Sequence, residues 1–135
     1  MSKDCIFCAI AGGAVPSFKI YEDGHVFAFL DINPFSRGHT LVVPRRHTPG
    51  LLDADDETLA LTVARVKLVA AHVTKALGAD GFNILQNNGE AAGQTVGHLH
   101  FHIVPRYDGA PVSFESAPGD MEELRSLAEK IRFQL

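Results

Sequence analysis

The sequence predicts an α+β domain built on a mainly antiparallel sheet. Three observations lead there. Short apolar segments are joined by hairpin-type turn signals, above all Asp23-Gly24. One long stretch, 57–77, carries apolar residues at helical spacing. And His98-Leu99-His100-Phe101-His102-Ile103-Val104 alternates strictly, as a strand with one apolar and one polar face does.

The elements follow in order. Residues 5–11 read as a short helix or helical turn, stopped by Gly12-Gly13. Residues 18–22 and 25–31 are strands around the Asp23-Gly24 turn. Asn33-Pro34 and Arg37-Gly38 mark a loop, and residues 39–44 form a third strand through the continuous apolar run Leu41-Val42-Val43. Asp53 or Asp55 caps the long helix, in which Leu59, Val63, Val66, Val69, Ala70, Val73 and Leu77 form a core-facing stripe and Gly78 is the stop. Residues 82–86 make a fourth strand, 87–97 a glycine-bearing loop, and the histidine row a fifth strand ending near Pro105-Arg106. Leu124, Leu127, Ala128 and Ile131 predict a terminal amphipathic helix beyond Asp120.

The chain of 135 residues is long enough for one domain with a real core, spanning 1–135, and too short for two comfortable ones. A net charge of −4 and the lack of any Lys/Arg run argue against nucleic acid as a partner. No apolar run reaches membrane-spanning length, so no membrane partner is expected. The opening Met1-Ser2-Lys3-Asp4-Cys5 and the short apolar stretch after it lack the length and flanks of a secretion signal. Two cysteines do not make a disulfide framework, and a cytoplasmic setting is expected.

The three alternating histidines carry the chemistry. Imidazoles titrate near neutral pH and can donate protons, accept them, attack phosphorus or bind metal. The plain alternative is a histidine-rich exposed strand or an adventitious metal site. Distance argues against one ion held by all three, since a rise of ~3.3 Å per residue puts the Cα atoms of His98 and His102 roughly 13 Å apart. Two adjacent members could share a metal with further ligands from elsewhere; the more natural division gives the three rings different jobs. Cys5-x-x-Cys8 is half of a zinc site; on spacing alone it is equally a redox pair or two reduced thiols.

The stretch Gln94-Thr95-Val96-Gly97-His98-Leu99-His100-Phe101-His102-Ile103-Val104 resembles the signature of the histidine-triad (HIT) superfamily, His-φ-His-φ-His-φ-φ with φ apolar. Cys5-Ile6-Phe7-Cys8, Phe29-Leu30-Asp31-Ile32-Asn33-Pro34 and Gly38-His39-Thr40-Leu41-Val42-Val43-Pro44 through His47 are similar, in order, to its Hint-like branch. The resemblance implies the HIT fold: a mainly antiparallel five-stranded sheet, one long crossover helix and a C-terminal helix.

It also implies a purine nucleotide-binding hydrolase in which His100 attacks the α-phosphate and forms a nucleotidyl-histidine. Its expected activity converts an adenosine 5'-phosphoramidate to AMP plus amine. Catalytic roles are implied for His100, for His102 beside the phosphate and for Thr95 near the leaving group. Asp31 is implied at the ribose, Ile6, Phe7, Ile10, Phe29 and Ile32 around the base, and Asn87, Gly93 and Gln94 near the phosphate. Read alone, Asp31 is a turn residue, Gly93 and Gly97 are turn-makers, and each apolar residue is core. His39 resembles a buried structural histidine beside the triad.

Structural zinc held by Cys5, Cys8, His47 and His98 is implied, as is a homodimer; no organic cofactor is expected. The rival activities are hydrolysis of dinucleoside polyphosphates and, from another class, a zinc-stabilised nucleotide-binding or scaffold protein with little turnover. Arg45, Arg46 and Arg106 receive no catalytic role.

Overall fold

The computed structural model describes residues 5–134; Met1 to Asp4, part of the opening read above for a secretion signal, and Leu135 lie outside the described residues. Helix α1 spans Ile6–Ala11, α2 spans Asp56–Leu77 and α3 spans Met121–Ile131. Strands β1 (Lys19–Glu22), β2 (Val26–Leu30), β3 (Thr40–Pro44), β4 (Gly81–Leu85) and β5 (Phe101–Arg106) form one sheet in the order β1-β2-β3-β5-β4, antiparallel at every pairing. This is the predicted α+β class.

Local chemistry explains the boundaries. The β1–β2 turn is held by Asp23, whose Oδ1 accepts the amides of His25 and Val26. The Asp55 carboxylate caps α2 by accepting from the Thr58 amide, and Asp120 caps α3 by accepting from Glu122 and Glu123. Gly78 ends α2 at φ 64°, the left-handed region that glycine enters without penalty. Gly38 enters β3 at φ 89°, and any Cβ there would strike the Leu77 side chain.

Alternation along β2 sends Val26, Ala28 and Leu30 into a core with Val66, Val69, Ala70 and Val73 of α2 and the buried face of α3. Phe27 and Phe29 point the other way, into a second cluster with Cys5, Phe7, Cys8 and Ile10. Leu99, Phe101 and Ile103 join the α2 side. The histidine face therefore opens on the α1 side of the sheet.

Two details differ from expectation. Regular pairing in β5 begins only at Phe101, so His98 and His100 precede the ladder. The pairing of β3 with β5 stops at Val42 and Phe101, and upstream of it the Leu99 amide donates to the Thr48 carbonyl, a loop partner. The second is Val63, assigned to the core stripe of α2 but 51% exposed, while Thr62 is buried and returns its hydroxyl proton to the Thr58 carbonyl.

Candidate active site and metal centre

On the α1 side of the sheet lies a largely apolar hollow of about 540 Å³. Ile6, Phe7 and Ile10 of α1 form one wall, with Phe29, Asp31 and Ile32 on the β2 side; Thr95, His100 and His102 stand together at its polar part. Ile6 and Ile32 are half exposed at the rim, whereas Phe7, Ile10 and Phe29 are buried. Asn87, Gly93 and Gln94 lie outside this lining, in the adjoining loop. The Gln94 side chain braces that loop, donating to the carbonyls of Pro49 and Val96 and accepting from the Gly89 amide. A larger hollow of about 710 Å³ beside β1 contains none of the histidines; Lys19 pairs there with Glu22 and Arg65 with Asp23, and Arg132 donates to the Lys19 carbonyl.

The hydrogen bonds assign a state to each ring. His100 Nδ1 donates to the His98 carbonyl at 2.7 Å, which leaves Nε2 with its lone pair. The ring is 4% exposed, and burial lowers its pKa; the hydrogen bond to the His98 carbonyl and the Asp31 charge oppose that shift. A neutral imidazole with a fixed tautomer is a competent nucleophile.

His39 accepts the Phe35 amide on Nδ1, so in its neutral form the proton sits on Nε2. That Nε2–H donates to His102 Nδ1 at 2.9 Å. His102 must then carry its own proton on Nε2. Burial holds both rings neutral, with His39 pushed down to about 3 and His102 to about 4. The sequence assigned His39 to structure; its contacts make it the residue that sets the tautomer of His102. Asp31 serves two ends at once. Its Oδ1 accepts the Asn33 amide, the turn role, while Oδ2 lies 3.6 Å from His39 Nε2 and the residue lines the hollow. Burial raises its pKa, against the opposing pull of the Asn33 amide and of His100.

Cys5, Cys8, His47 and His98 converge behind α1, with their ligand atoms within 4.8 Å of one another. His98 Nδ1 is 3.3 Å from Cys5 Sγ, 3.6 Å from Cys8 Sγ and 3.2 Å from His47 Nδ1, and Cys8 Sγ is 3.3 Å from His47 Nδ1. A tetrahedral zinc with ~2.3 Å bonds to sulfur and ~2.05 Å to nitrogen has edges of roughly 3.5 Å for S···N and 3.3 Å for N···N. His98 also gives its Nε2–H to the Pro44 carbonyl at 2.8 Å, which leaves Nδ1 free to ligate and orients the ring, as metal-bound histidines require. The four residues are thus compatible with zinc.

Asp31, His39 and His102 also bring ligand atoms together. They fail the same test. His39 Nδ1 is occupied by an N–H donor, so its Nε2 holds a proton rather than a lone pair.

The three arginines set aside above are structural in their contacts. Arg45 bonds to Glu22 and to the Asp23 carbonyl, Arg46 pairs with Asp55, and Arg106 bonds to Asn83 and lies over Phe114.

The HIT domain family model matches residues 13–109, a span that includes Phe29 to Asp31, the His47 segment and the whole histidine row. The chain belongs to the HIT family, in its Hint-like branch. The adenosine 5'-monophosphoramidase hnt1 of Schizosaccharomyces pombe is 43% identical over 130 residues, covering 94% of this chain and 95% of that protein. Among solved structures, a Hit-like protein from Bartonella henselae superposes with a TM-score of 0.90 at 42% identity, covering 98% of this chain and 96% of its own. A zinc-bound histidine triad protein from Mycobacterium smegmatis gives 0.83 at 45% identity, covering 95% and 93%.

Within this HIT site, sequence reasoning missed the contribution of α3. Met121 and Arg125 line the same hollow. They stand four residues apart, so they share a helix face, next to the buried stripe of Leu124, Leu127, Ala128 and Ile131. That second face was the available signal.

Proposed function

We propose that this chain is a nucleoside phosphoramidase acting on adenosine 5'-phosphoramidates, with His100 as the nucleophile. The coarser statement, a HIT-family nucleotide hydrolase, follows from membership of a family whose relatives include named adenosine monophosphoramidases 37–43% identical to this chain. The observation that carries the finer reading is the pair of opposed tautomers in one pocket: a lone pair on His100 Nε2 and a proton on His102 Nε2.

Those two states fit a two-step displacement. His100 Nε2 attacks the α-phosphorus, the new P–N bond forms, and the bond to the substrate's amine breaks. The amine leaves poorly as an anion, so a proton must reach it; the Thr95 hydroxyl passes its own proton to the amine, while His102 Nε2–H stays on the ring and hydrogen-bonds the oxygen left behind. Water then attacks phosphorus and gives a proton back to the Thr95 oxygen, the bond to His100 breaks, and the nucleoside monophosphate leaves with both side chains regenerated. The Asp31 carboxylate accepts from the ribose hydroxyls, and the walls of Ile6, Phe7, Ile10, Phe29 and Ile32 take the base. Asn87, Gly93 and Gln94 shape the loop that carries Thr95 to the phosphate.

Cys5, Cys8, His47 and His98 hold structural zinc in this reading, which supplies a cross-link between α1 and the strand ends. A cytoplasmic, reducing setting keeps those thiols available. The whole chain acts as one HIT domain and as a homodimer. Edge strand β4, paired only with β5, supports that assembly, because its Phe82 and Ile84 are 47% and 42% exposed and a second copy would cover them.

The test compares turnover of an adenosine phosphoramidate with that of a dinucleoside tetraphosphate. Faster turnover of the phosphoramidate, with a transient nucleotide adduct on His100 seen by rapid-quench intact mass, is expected. Faster tetraphosphate hydrolysis favours the other HIT activity, and AMP binding with neither substrate consumed favours a binding module.

A further inference from the structure

One six-residue helix carries both a wall of the nucleotide pocket and half of the metal-ligand set. Cys5 caps α1, its Sγ accepting from the Cys8 amide at 3.4 Å, and Cys8 lies one turn on. Ile6, Phe7 and Ile10 on the same turns face the hollow. A helix this short has no stability of its own in water, so its position is set by what it is tied to.

Phe7 sits between the two thiol ligands and is 5% exposed. Its ring meets His98 edge-on at 5.9 Å between centroids and His100 at 5.0 Å, and it packs against Phe29 at 5.5 Å. It therefore touches a metal ligand, the nucleophile and the base wall at once. His98 makes the second link. Its ring points Nδ1 at the Cys5 thiol, where it would ligate metal, while its backbone carbonyl holds His100 Nδ1.

We propose that Phe7 is a positioning residue through which the Cys5/Cys8/His47/His98 metal site sets the affinity of the pocket for nucleotide. Metal at those four residues clamps α1 and His98 in the arrangement that forms the base wall and aims His100. Without it, nucleotide must itself order α1 and binds more weakly. Linkage then requires the converse: bound nucleotide tightens the hold on metal by the same factor. The inference rests on the reading of the hollow as a nucleotide site.

Calorimetry with AMP tests it. Zinc-loaded protein must bind AMP; failure there sinks the nucleotide-site reading and this inference together. Chelator-stripped protein, checked for retained helix by circular dichroism, is expected to bind AMP about tenfold more weakly, within the usual range of coupling between sites. Chelator competition for zinc should show a matching gain in metal affinity when AMP is saturating. Phe7→Leu should bring the loaded and stripped AMP affinities to within about twofold of each other, since the ring contacts that transmit the effect are gone. Equal AMP affinity of loaded and stripped wild type overturns the coupling and leaves the nucleotide site standing. Where stripping unfolds the chain, cobalt-loaded protein gives the answer: AMP should shift the visible cobalt bands in wild type and leave them in place in Phe7→Leu, and unshifted wild-type bands overturn the proposal.

Discussion

His39 Nε2 lies 2.9 Å from His102 Nδ1, and this contact decides where His102 keeps its proton. The order of bonds is directional, from the Phe35 amide to His39 and from His39 to His102. It ends on an N–H in the pocket, where a leaving amine needs a donor. His39→Ala should therefore slow phosphoramidate turnover on the order of 10²-fold, the low end of what a positioned proton donor contributes. The nucleotide adduct on His100 should still form, but more slowly, since amine departure and adduct formation are one step. Steady-state rates with rapid-quench mass measurement separate the two effects, and an unchanged kcat would return His39 to a purely structural role.

The nucleophile itself gives a sharper outcome. His100→Ala should abolish turnover and all nucleotidylated protein, and His102→Ala should slow the reaction while an adduct remains detectable. Because burial lowers the His100 pKa, the acid limb of kcat/KM should fall below the ordinary histidine value of ~6.5. An adduct persisting in His100→Ala would falsify the mechanism.

The His39–His102 pair also makes stability depend on pH. His39 and His102 are neutral when folded, with values near 3 and 4, while in the unfolded chain they take up protons near ~6.5. Below that value the unfolded chain binds more protons, so stability rises with pH. The contribution is intact above ~6.5 and is lost as pH falls from there toward 4 for His102 and 3 for His39. At ~1.4 kcal/mol per unit, the loss by pH 5 should be a few kcal/mol. Urea unfolding at pH 7 and pH 5 measures it, and His39→Gln, which cannot titrate, should flatten the slope.

Asp31 holds a turn and faces the pocket, so two variants are needed to separate the roles. Asp31→Asn keeps an oxygen for the Asn33 amide and should leave the fold near wild type while weakening AMP by ~1.5–3 kcal/mol, the worth of a hydrogen bond to a charged acceptor. Asp31→Ala should add a loss of stability. Calorimetry giving equal AMP affinity for Asp31→Asn and wild type would reduce Asp31 to its turn.

Zinc should be present at about one ion per chain, as four converging ligands imply. Elemental analysis after purification without chelators checks this. Cys8→Ala should lower Tm strongly and raise KM while leaving kcat of the folded fraction near wild type, because in the proposed coupling metal would act on the pocket through α1 and His98. A fall in kcat matching the loss of zinc would place the metal in the chemistry.

Much of this molecule is legible in its sequence, because much of it is local. Asp23-Gly24 announces its hairpin, Asp55 and Gly78 bracket α2, and alternation alone puts Leu99, Phe101 and Ile103 in the core and the histidines on the opposite face. The roughly 13 Å that separates His98 from His102 along an extended chain already spoke against one shared ion. The structure sets His98 among the thiols and His102 beside His39. What sequence could not decide depends on which distant segments the sheet register brings together. The tautomer of His102 depends on a histidine 63 residues earlier in the chain, and the metal set joins Cys5 to His98 across 93. Val63 obeys the helical period yet is half exposed, and Met121 and Arg125 reach the pocket from outside the matched motifs. Periodicity reports which face of an element is apolar; only packing decides what that face meets.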